Sequence, residues 1–481
     1  MTLKQKTVSG MIWSFLDSFA NQGILFISGI VLARILSPRE FGLIGMLTIF
    51  IALSQSFIDS GFTNALIRKQ DCTQTDYSTV FYYNFVAGII FYLILFLFAK
   101  SISVFFNEPQ LELLLQVLGL GLILNSLGII QRTILTKNIN FKLQARVSAV
   151  SATLSGLIAI SMAYNGYGVW SLVALTLGRF GFTSVFLWMW TKWKPNLIFS
   201  IKSFKELFSF GSKLLITGLI ETIYRNIYLL IIGKYFSAVE LGYYTRADQF
   251  SAMPSANLTQ IVQKVSYPVL SNLQEDVVKL KSVYCQIITS VMLVTFVLML
   301  GMAAVAEPLI LTLIGEQWTP AIIYLQLLCF VGMFYPLHAL NLNMLQVQGR
   351  GNLLVKIEII KKILAVPIII IGILLGIKAL IVGMIIHSSA TYFLNSYYSG
   401  RFIKYSSIQQ LKDISSSFFL AVFVSVVVFV AGKLIHTQNH FILLIQILIG
   451  AILTFGIVEL IQLKSYIFMK DIVMEKIRNK E

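Results

Sequence analysis

Four arginines and three carboxylates stand inside stretches that are otherwise apolar: Arg34, Arg179, Arg225 and Arg246, and Asp17, Glu221 and Asp248. An ionisable group in hydrocarbon is costly and usually marks a substrate or ion path. A guanidinium is a planar fork that can hold two phosphate oxygens at once. Arg225 and Arg246 are therefore the first candidates to clamp a phosphate or other anionic group, with Arg179 and Arg34 behind them. The three carboxylates are candidates to carry a coupling proton or sodium ion. Plainer readings stand beside these. Glu221 and Arg225 are spaced i,i+4 and can pair along a helix. Arg246 can pair with Asp248 through a bend, and Arg34, at a membrane boundary, can snorkel.

The elements that must position these groups carry polar stripes. In a first predicted helix over 11–36, Ser14, Asp17, Ser18, Asn21 and Ser28 fall within about 100° of arc. In a seventh over 208–233, Thr217, Glu221, Tyr224 and Tyr228 share a stripe with Arg225 at its edge. At an offset of 200 residues Asp17 meets Thr217, Asn21 meets Glu221 and Ser28 meets Tyr228. The same offset joins Ser37-Pro-Arg-Glu40-Phe-Gly42 to Ser237-Ala-Val-Glu240-Leu-Gly242. Further on the offset grows to 210, aligning Gln131–Asn140 with Asn341–Arg350 and Gly166 with Gly376. The doubled Ser-x-x-Glu-x-Gly reads as a helix cap followed by a close contact, so it marks the fold and not a binding motif.

Composition sets the class. The 481 residues are 57% hydrophobic and 12% charged, with mean hydropathy +0.82; soluble domains carry about 25% charged residues. Apolar runs long enough to span a bilayer recur from end to end. The chain reads as an all-α polytopic membrane protein with about fourteen transmembrane helices. Residues 1–195 and 196–405 form two six-helix repeats, and 406–481 adds two helices and a basic tail. Each repeat has an even number of helices, so both enter from the same side, as in a parallel-repeat transporter.

The net charge of +16 is mostly topological. Only Arg39, Lys100, Lys234, Lys378 and Lys433 fall on predicted external loops, and most other cations lie on the opposite face. That is the positive-inside pattern, and it places both termini in the cytoplasm. It argues against nucleic acid as a partner. Basic clusters around Lys192–Lys205 and Lys464–Lys480 are also placed to touch anionic headgroups. The first apolar span is too long for a cleavable signal. Cys72, Cys285 and Cys329 are isolated, so neither a disulfide framework, a metal site nor a cofactor is expected. Pro254, Pro336 and Pro367 fall inside predicted helices, where prolines mark bends beside cavities. Asp59, before Gly61, reads as a helix end or a coupling group. His338 and His387 read as neutral interhelical bonds, and Glu358 with Lys361 and Lys362 as a self-neutralising or cavity-lining cluster.

Leu32-Ala-Arg-Ile-Leu-Ser-Pro-Arg-Glu-Phe-Gly42 resembles the first-helix signature of the Wzx-type polysaccharide transporters, within the multidrug/oligosaccharidyl-lipid/polysaccharide flippase superfamily. Ile134–Ala145, Leu241–Asp248, Met253-Pro254 and Tyr267–Ser271 fit the same family, nearest to colanic-acid and teichuronic-acid exporters. The resemblance implies two bundles around a central cavity in a bacterial cytoplasmic membrane. It implies a non-enzymatic flippase for undecaprenyl-pyrophosphate-linked oligosaccharide, serving surface polysaccharide synthesis beside a polymerase and assembly proteins. Two other classes stay open. A drug or organic-cation antiporter on the same fold would favour buried carboxylates with few intramembrane cations. A membrane polymerase or lipid-linked glycosyltransferase would need a large external loop or an acid/base cluster. No phosphate-binding glycine loop is present, which excludes ATP as direct fuel.

Overall fold

A computed structural model of the chain describes residues 3–463 and 465–471; the side chains of residues 3–12 and 14–19 lie outside the description. The described residues are helical throughout, with no strand among them. The helices are α1 Leu3–Ile35, α2 Pro38–Asp59, α3 Phe62–Arg68, α4 Gln74–Phe106, α5 Gln110–Ser126, α6 Ile129–Lys137, α7 Phe141–Tyr164, α8 Trp170–Trp190, α9 Ile201–Tyr235 and α10 Ala238–Ser271. They continue with α11 Val277–Ala304, α12 Ala306–Leu313, a single 3₁₀ turn Glu316–Trp318, α13 Ala321–Gly332, α14 Tyr335–Val347, α15 Gly351–Leu375, α16 Ile377–Ile403, α17 Ser407–Leu434 and α18 Asn439–Ile461. Among the described residues, ten spans are long and apolar enough to cross a membrane, or eleven if the bent pair α5–α6 is one span. The chain forms two compact units, Met1–Gly242 and Tyr243–Glu481.

Several predicted elements break where they were expected to run straight. The fourth predicted helix, 112–130, divides at Leu127–Gly128 into α5 and α6, bent by 40°. The second predicted helix, 41–60, ends at Asp59, within a residue of its expected end, because Ser60 and Gly61 adopt left-handed backbone (φ 44° and 72°) before a further short helix, α3, begins. The tenth divides before Pro336, which stands in the first turn of α14, where its missing N–H leaves no bond unmade. Pro254 and Pro367 are carried inside α10 and α15. The segment after α11 contains α12 and the 3₁₀ turn.

In the first unit α1 packs along α7, α7 along α8, α4 along α5 and α2 along α9. Small residues set these distances, as is usual where lipid offers no hydrophobic drive between helices. Ser28 of α1 is buried against Gly156 of α7, so it serves packing. On α9, Gly211, Thr222 and Gly233 recur every eleven residues and so share one face. Gly211 abuts Ser60 and Gly61, Thr222 Oγ1 lies 3.2 Å from Ser56 Oγ, and Gly233 abuts Met46. The whole of α9 is thereby clasped to α2.

In the second unit α11 packs on α17, α15 on α16 and α17 on α18. Its core is tied by buried polar groups: Asn341 Oδ1 accepts from Tyr284 Oη (3.1 Å) and Ser399 Oγ (2.5 Å), and Asn343 Nδ2 donates to Ser266 Oγ (2.9 Å).

The two offsets read from the sequence recur in backbone detail. Ile139 and Gly349, 210 residues apart, both take left-handed backbone (φ 56° and 66°). The following amides close the same turn, Asn140 N to Leu135 O (2.8 Å) and Arg350 N to Leu345 O (3.0 Å). Gly166 and Gly376 also share positive φ, at 79° and 100°. Gln131 and Thr133 are buried polar residues, and so are their counterparts Asn341 and Asn343.

Candidate functional site

The stripe on α9 is open. Thr217, Glu221 and Arg225 are exposed, Tyr224 is half-buried and Tyr228 is buried at 8% exposure. At 100° per residue this stripe is centred about 120° round the helix from the face held by α2, which leaves it clear of that contact. Thr217 Oγ1 returns its proton to the Lys213 carbonyl (3.0 Å). Among the described residues no ion pair joins Glu221 to Arg225, although their i,i+4 spacing permits one. Both charges are therefore available to other groups.

The stripe on α1 is described only in part. Ser14 and Asp17 lie outside the described side chains, and Asn21 is half-buried. Arg34 is exposed in the last turn of α1, where a cation complements the helix dipole. On α10, Arg246 and Asp248 are half-buried on either side of fully buried Ala247. The helix runs unbroken through all three, so the bend expected to bring Arg246 to Asp248 is not there.

The Glu358–Lys361 cluster and His338 and His387 of the second unit have local partners. Lys361 Nζ meets Glu358 Oε1 at 2.7 Å with Lys361 only 8% exposed, the self-neutralising arrangement. His387 Nε2 lies 2.9 Å from the Lys361 carbonyl. His338 lies 3.1 Å from Ser388 Oγ through Nε2 and 3.2 Å from Asn395 Nδ2 through Nδ1. With the Asn395 amide donating, Nδ1 is an acceptor and the ring is neutral with its proton on Nε2, a tautomer assigned from the bonding pattern. These histidines join helices and leave no open relay.

A cavity of ≈ 290 Å³, with polar side chains in an otherwise apolar wall, lies in the first unit where the α2–α3 and α5–α6 breaks meet the second half of α8. Its walls include Asp59 and Thr63 from the first break, Asn125, Arg132, Thr133 and Thr136 from around the second, and Thr183 of α8. Asp59 Oδ1 accepts from Thr63 N (3.2 Å) and Thr63 Oγ1 (2.5 Å), which starts α3 in place of the side chain Gly61 lacks. Arg179 stands one turn before Thr183 on the same face of α8 but is not among the residues that line the cavity. Arg132 was missed as a site residue because it was read only as part of a repeat alignment. The usable signal is a cation on a short segment just after a helix break, between two buried polar neighbours.

Comparison with known proteins places this geometry among polysaccharide biosynthesis proteins. A family profile of that description, "Polysaccharide biosynthesis protein", matches residues 31–323. The chain is 27% identical over 383 residues to the lipopolysaccharide biosynthesis protein WzxC of Escherichia coli K12, covering 77% of this chain and 76% of that one. It is 27% identical over 322 residues to the succinoglycan biosynthesis transport protein ExoT of Rhizobium meliloti, covering 66% and 65%. The solved structure of the lipid II flippase MurJ in its inward closed conformation superposes with a TM-score of 0.76 over 96% of this chain and 100% of that one. At 16% identity that likeness is one of fold.

Proposed function

This chain belongs to the polysaccharide biosynthesis protein family, and from that membership we infer that it is a flippase. It carries a lipid-linked oligosaccharide from the cytoplasmic to the outer leaflet of a bacterial cytoplasmic membrane by alternating access, without chemical conversion. The observation that supports this most directly is the open, charged stripe on α9, with Glu221 and Arg225 exposed and not paired to each other. Charge left available on a bilayer-length helix needs a polar ligand or a hydrated path. A lipid pyrophosphate bearing a glycan supplies both. We assign the pyrophosphate and glycan to Arg225 and Arg246, with Arg179 and Arg34 supporting, and the cavity lining to Ser14, Asn21, Thr217, Tyr224 and Tyr228. Proton or sodium coupling falls to Asp17, Glu221 and Asp248.

The same reading favours fourteen spans, in two six-helix repeats over 1–195 and 196–405 plus a terminal pair. Beyond the ten apolar spans and the bent pair, α1, α10 and α15 are also 33, 34 and 25 residues long, and Ala20–Ile35 of α1 is apolar. They carry the charged positions Asp17, Arg246, Asp248, Glu358 and Lys361. Helices that line a polar path are expected to fail a test of lipid compatibility. An even count puts both termini on one side of the membrane, and the loop distribution of Lys and Arg favours the cytoplasmic side.

The test is translocation in proteoliposomes. The purified chain should move a fluorescent undecaprenyl-pyrophosphate oligosaccharide between leaflets, read as protection from an external quencher or glycosidase. No movement beyond protein-free vesicles would remove the flippase reading, and movement of organic cations in its place would revive the drug antiporter.

A further inference from the structure

The link between α8 and α9, residues 191–200, is irregular backbone held in one shape. Gln74 Nε2 donates to the Lys194 carbonyl (2.6 Å), and Trp193 Nε1 donates to Gln74 Oε1 (2.7 Å). Asn196 N donates to Ser78 Oγ and Ser200 N to Thr79 Oγ1, both at 3.0 Å. Gln74, Ser78 and Thr79 all stand in the first two turns of α4. Trp193 is turned inward, against Tyr77 and Phe81. The next apolar side chains are turned outward. Leu197 is 95% exposed and Ile201 65%, with Ile198 and Phe199 exposed beside them. Four large apolar groups fixed in the open mark a contact with a non-aqueous partner.

Lysines flank this run on both sides, Lys192 and Lys194 before it and Lys202 and Lys205 after it, and no carboxylate stands between Trp190 and Lys205. All four are exposed, and none makes an ion pair or a side-chain hydrogen bond among the described residues. The next acid along the chain, Glu206, is already held by Lys69 Nζ, which also meets Asp76 (both 3.2 Å). Depth points to the occupant. The 21 residues of α8, Trp170–Trp190, reach about 31 Å at 1.5 Å per residue, the thickness of a hydrocarbon core. The link therefore starts at the membrane–water boundary, and Trp188, Trp190 and Trp193 fall at that level as an aromatic belt does.

We propose that residues 192–205 are a preformed anchor for anionic phospholipid of the cytoplasmic leaflet. The four apolar side chains enter the acyl boundary, and the four lysines hold the phosphate-bearing headgroups around them. Apolar area and lysine charge act together in such an anchor, and an anionic surface attracts each lysine near it. A zwitterionic surface supplies the apolar half alone. Because α4 holds the backbone beforehand, little further ordering is needed on contact. The anchor requires only that α8 spans the membrane, whatever the chain carries. Its cytoplasmic side follows from the distribution of Lys and Arg among the loops.

The experiment is cysteine labelling of the full-length chain in nanodiscs, with Cys72, Cys285 and Cys329 replaced by serine. Leu197→Cys and Ile201→Cys probe the run, and Thr437→Cys, exposed between α17 and α18, is the reference. Discs of phosphatidylcholine are compared with discs of phosphatidylcholine and phosphatidylglycerol, using an uncharged, polar maleimide. A thiol drawn into the acyl boundary ionises poorly and reacts slowly. Relative to the reference, phosphatidylglycerol should slow labelling at both probes by about tenfold or more. Lys192→Gln, Lys194→Gln, Lys202→Gln and Lys205→Gln combined should abolish that difference, and high salt should shrink it in the chain that keeps its lysines. Labelling as fast as the reference in both discs would overturn the anchor and leave the run to a protein partner. Equal slowing in both lipids, or a phosphatidylglycerol effect undiminished in the monodisperse glutamine variant and at high salt, would equally overturn it.

Discussion

Gly42 and Gly242 hold reciprocal places at the starts of α2 and α10. Gly42 lies against the carbonyl of Ala238, and Gly242 against the carbonyl of Pro38. A Cβ on Gly42 would come to 2.5 Å from the Ala238 carbonyl carbon, and one on Gly242 to 2.6 Å from that of Pro38. Each contact is the other shifted by 200 residues at both ends. Each start is also fixed by its own serine and glutamate. Ser37 N and Oγ both donate to Glu40 Oε2 (2.6 and 2.8 Å), and Glu240 N donates to Ser237 Oγ (3.1 Å). The doubled phrase is therefore a crossing of two helix starts, backbone against backbone, in which only glycine fits.

Replacing Gly42 by valine should force the two backbones apart, at a cost of about 1–3 kcal/mol for overpacking. The expected result is a lower thermal midpoint in detergent and reduced export, with Gly242→Val behaving alike. A midpoint and export level equal to the unsubstituted chain in both variants would show that the crossing tolerates separation.

Arg225→Ala and Arg246→Ala should abolish polysaccharide export while the protein stays inserted and abundant. Arg225→Lys should recover only part of the activity, because an ammonium is a point charge and not a fork. Full export by both alanine variants would dismiss these residues as the pyrophosphate clamp.

If Asp17, Glu221 or Asp248 carries protons, collapsing the proton gradient should slow translocation in proteoliposomes, and Glu221→Gln or Asp248→Asn should make the rate insensitive to the gradient. Sensitivity to a sodium gradient alone would assign the coupling ion to sodium. Indifference to both gradients would remove these carboxylates from coupling.

Asn341→Leu should destabilise the second unit by about 1–3 kcal/mol, because the Tyr284 and Ser399 hydroxyls would lose their shared acceptor in a buried place. Tyr284→Phe removes one donor and leaves Asn341 still bonded to Ser399, so its effect should be smaller. Thermal unfolding of the two variants side by side checks the order. A larger loss for the tyrosine variant would contradict it.

Much of the architecture was legible in the chain because it depends on composition and period. Apolar length announces a membrane span whatever the span touches. The offsets of 200 and 210 survive as paired left-handed turns at Ile139 and Gly349, and as the matched crossings of Gly42 and Gly242. The polar stripe on α9 was legible for the same reason, since 100° per residue fixes which side chains share a face.

What the sequence could not give is which faces meet. Glu221 and Arg225 have the spacing of an ion pair and do not form one among the described residues; Lys361 and Glu358 have a similar spacing and do. Asp59 and Arg132 are 73 positions apart and line one cavity, because two helices break at Gly61 and Gly128 and turn their ends toward α8. A break of that kind is set by competing contacts across several helices, and a single helix's pattern does not contain them. Local pattern determined the class, the apolar spans and the matched turns at offsets of 200 and 210. Tertiary packing decided which charges are left available, and those are the charges on which function depends.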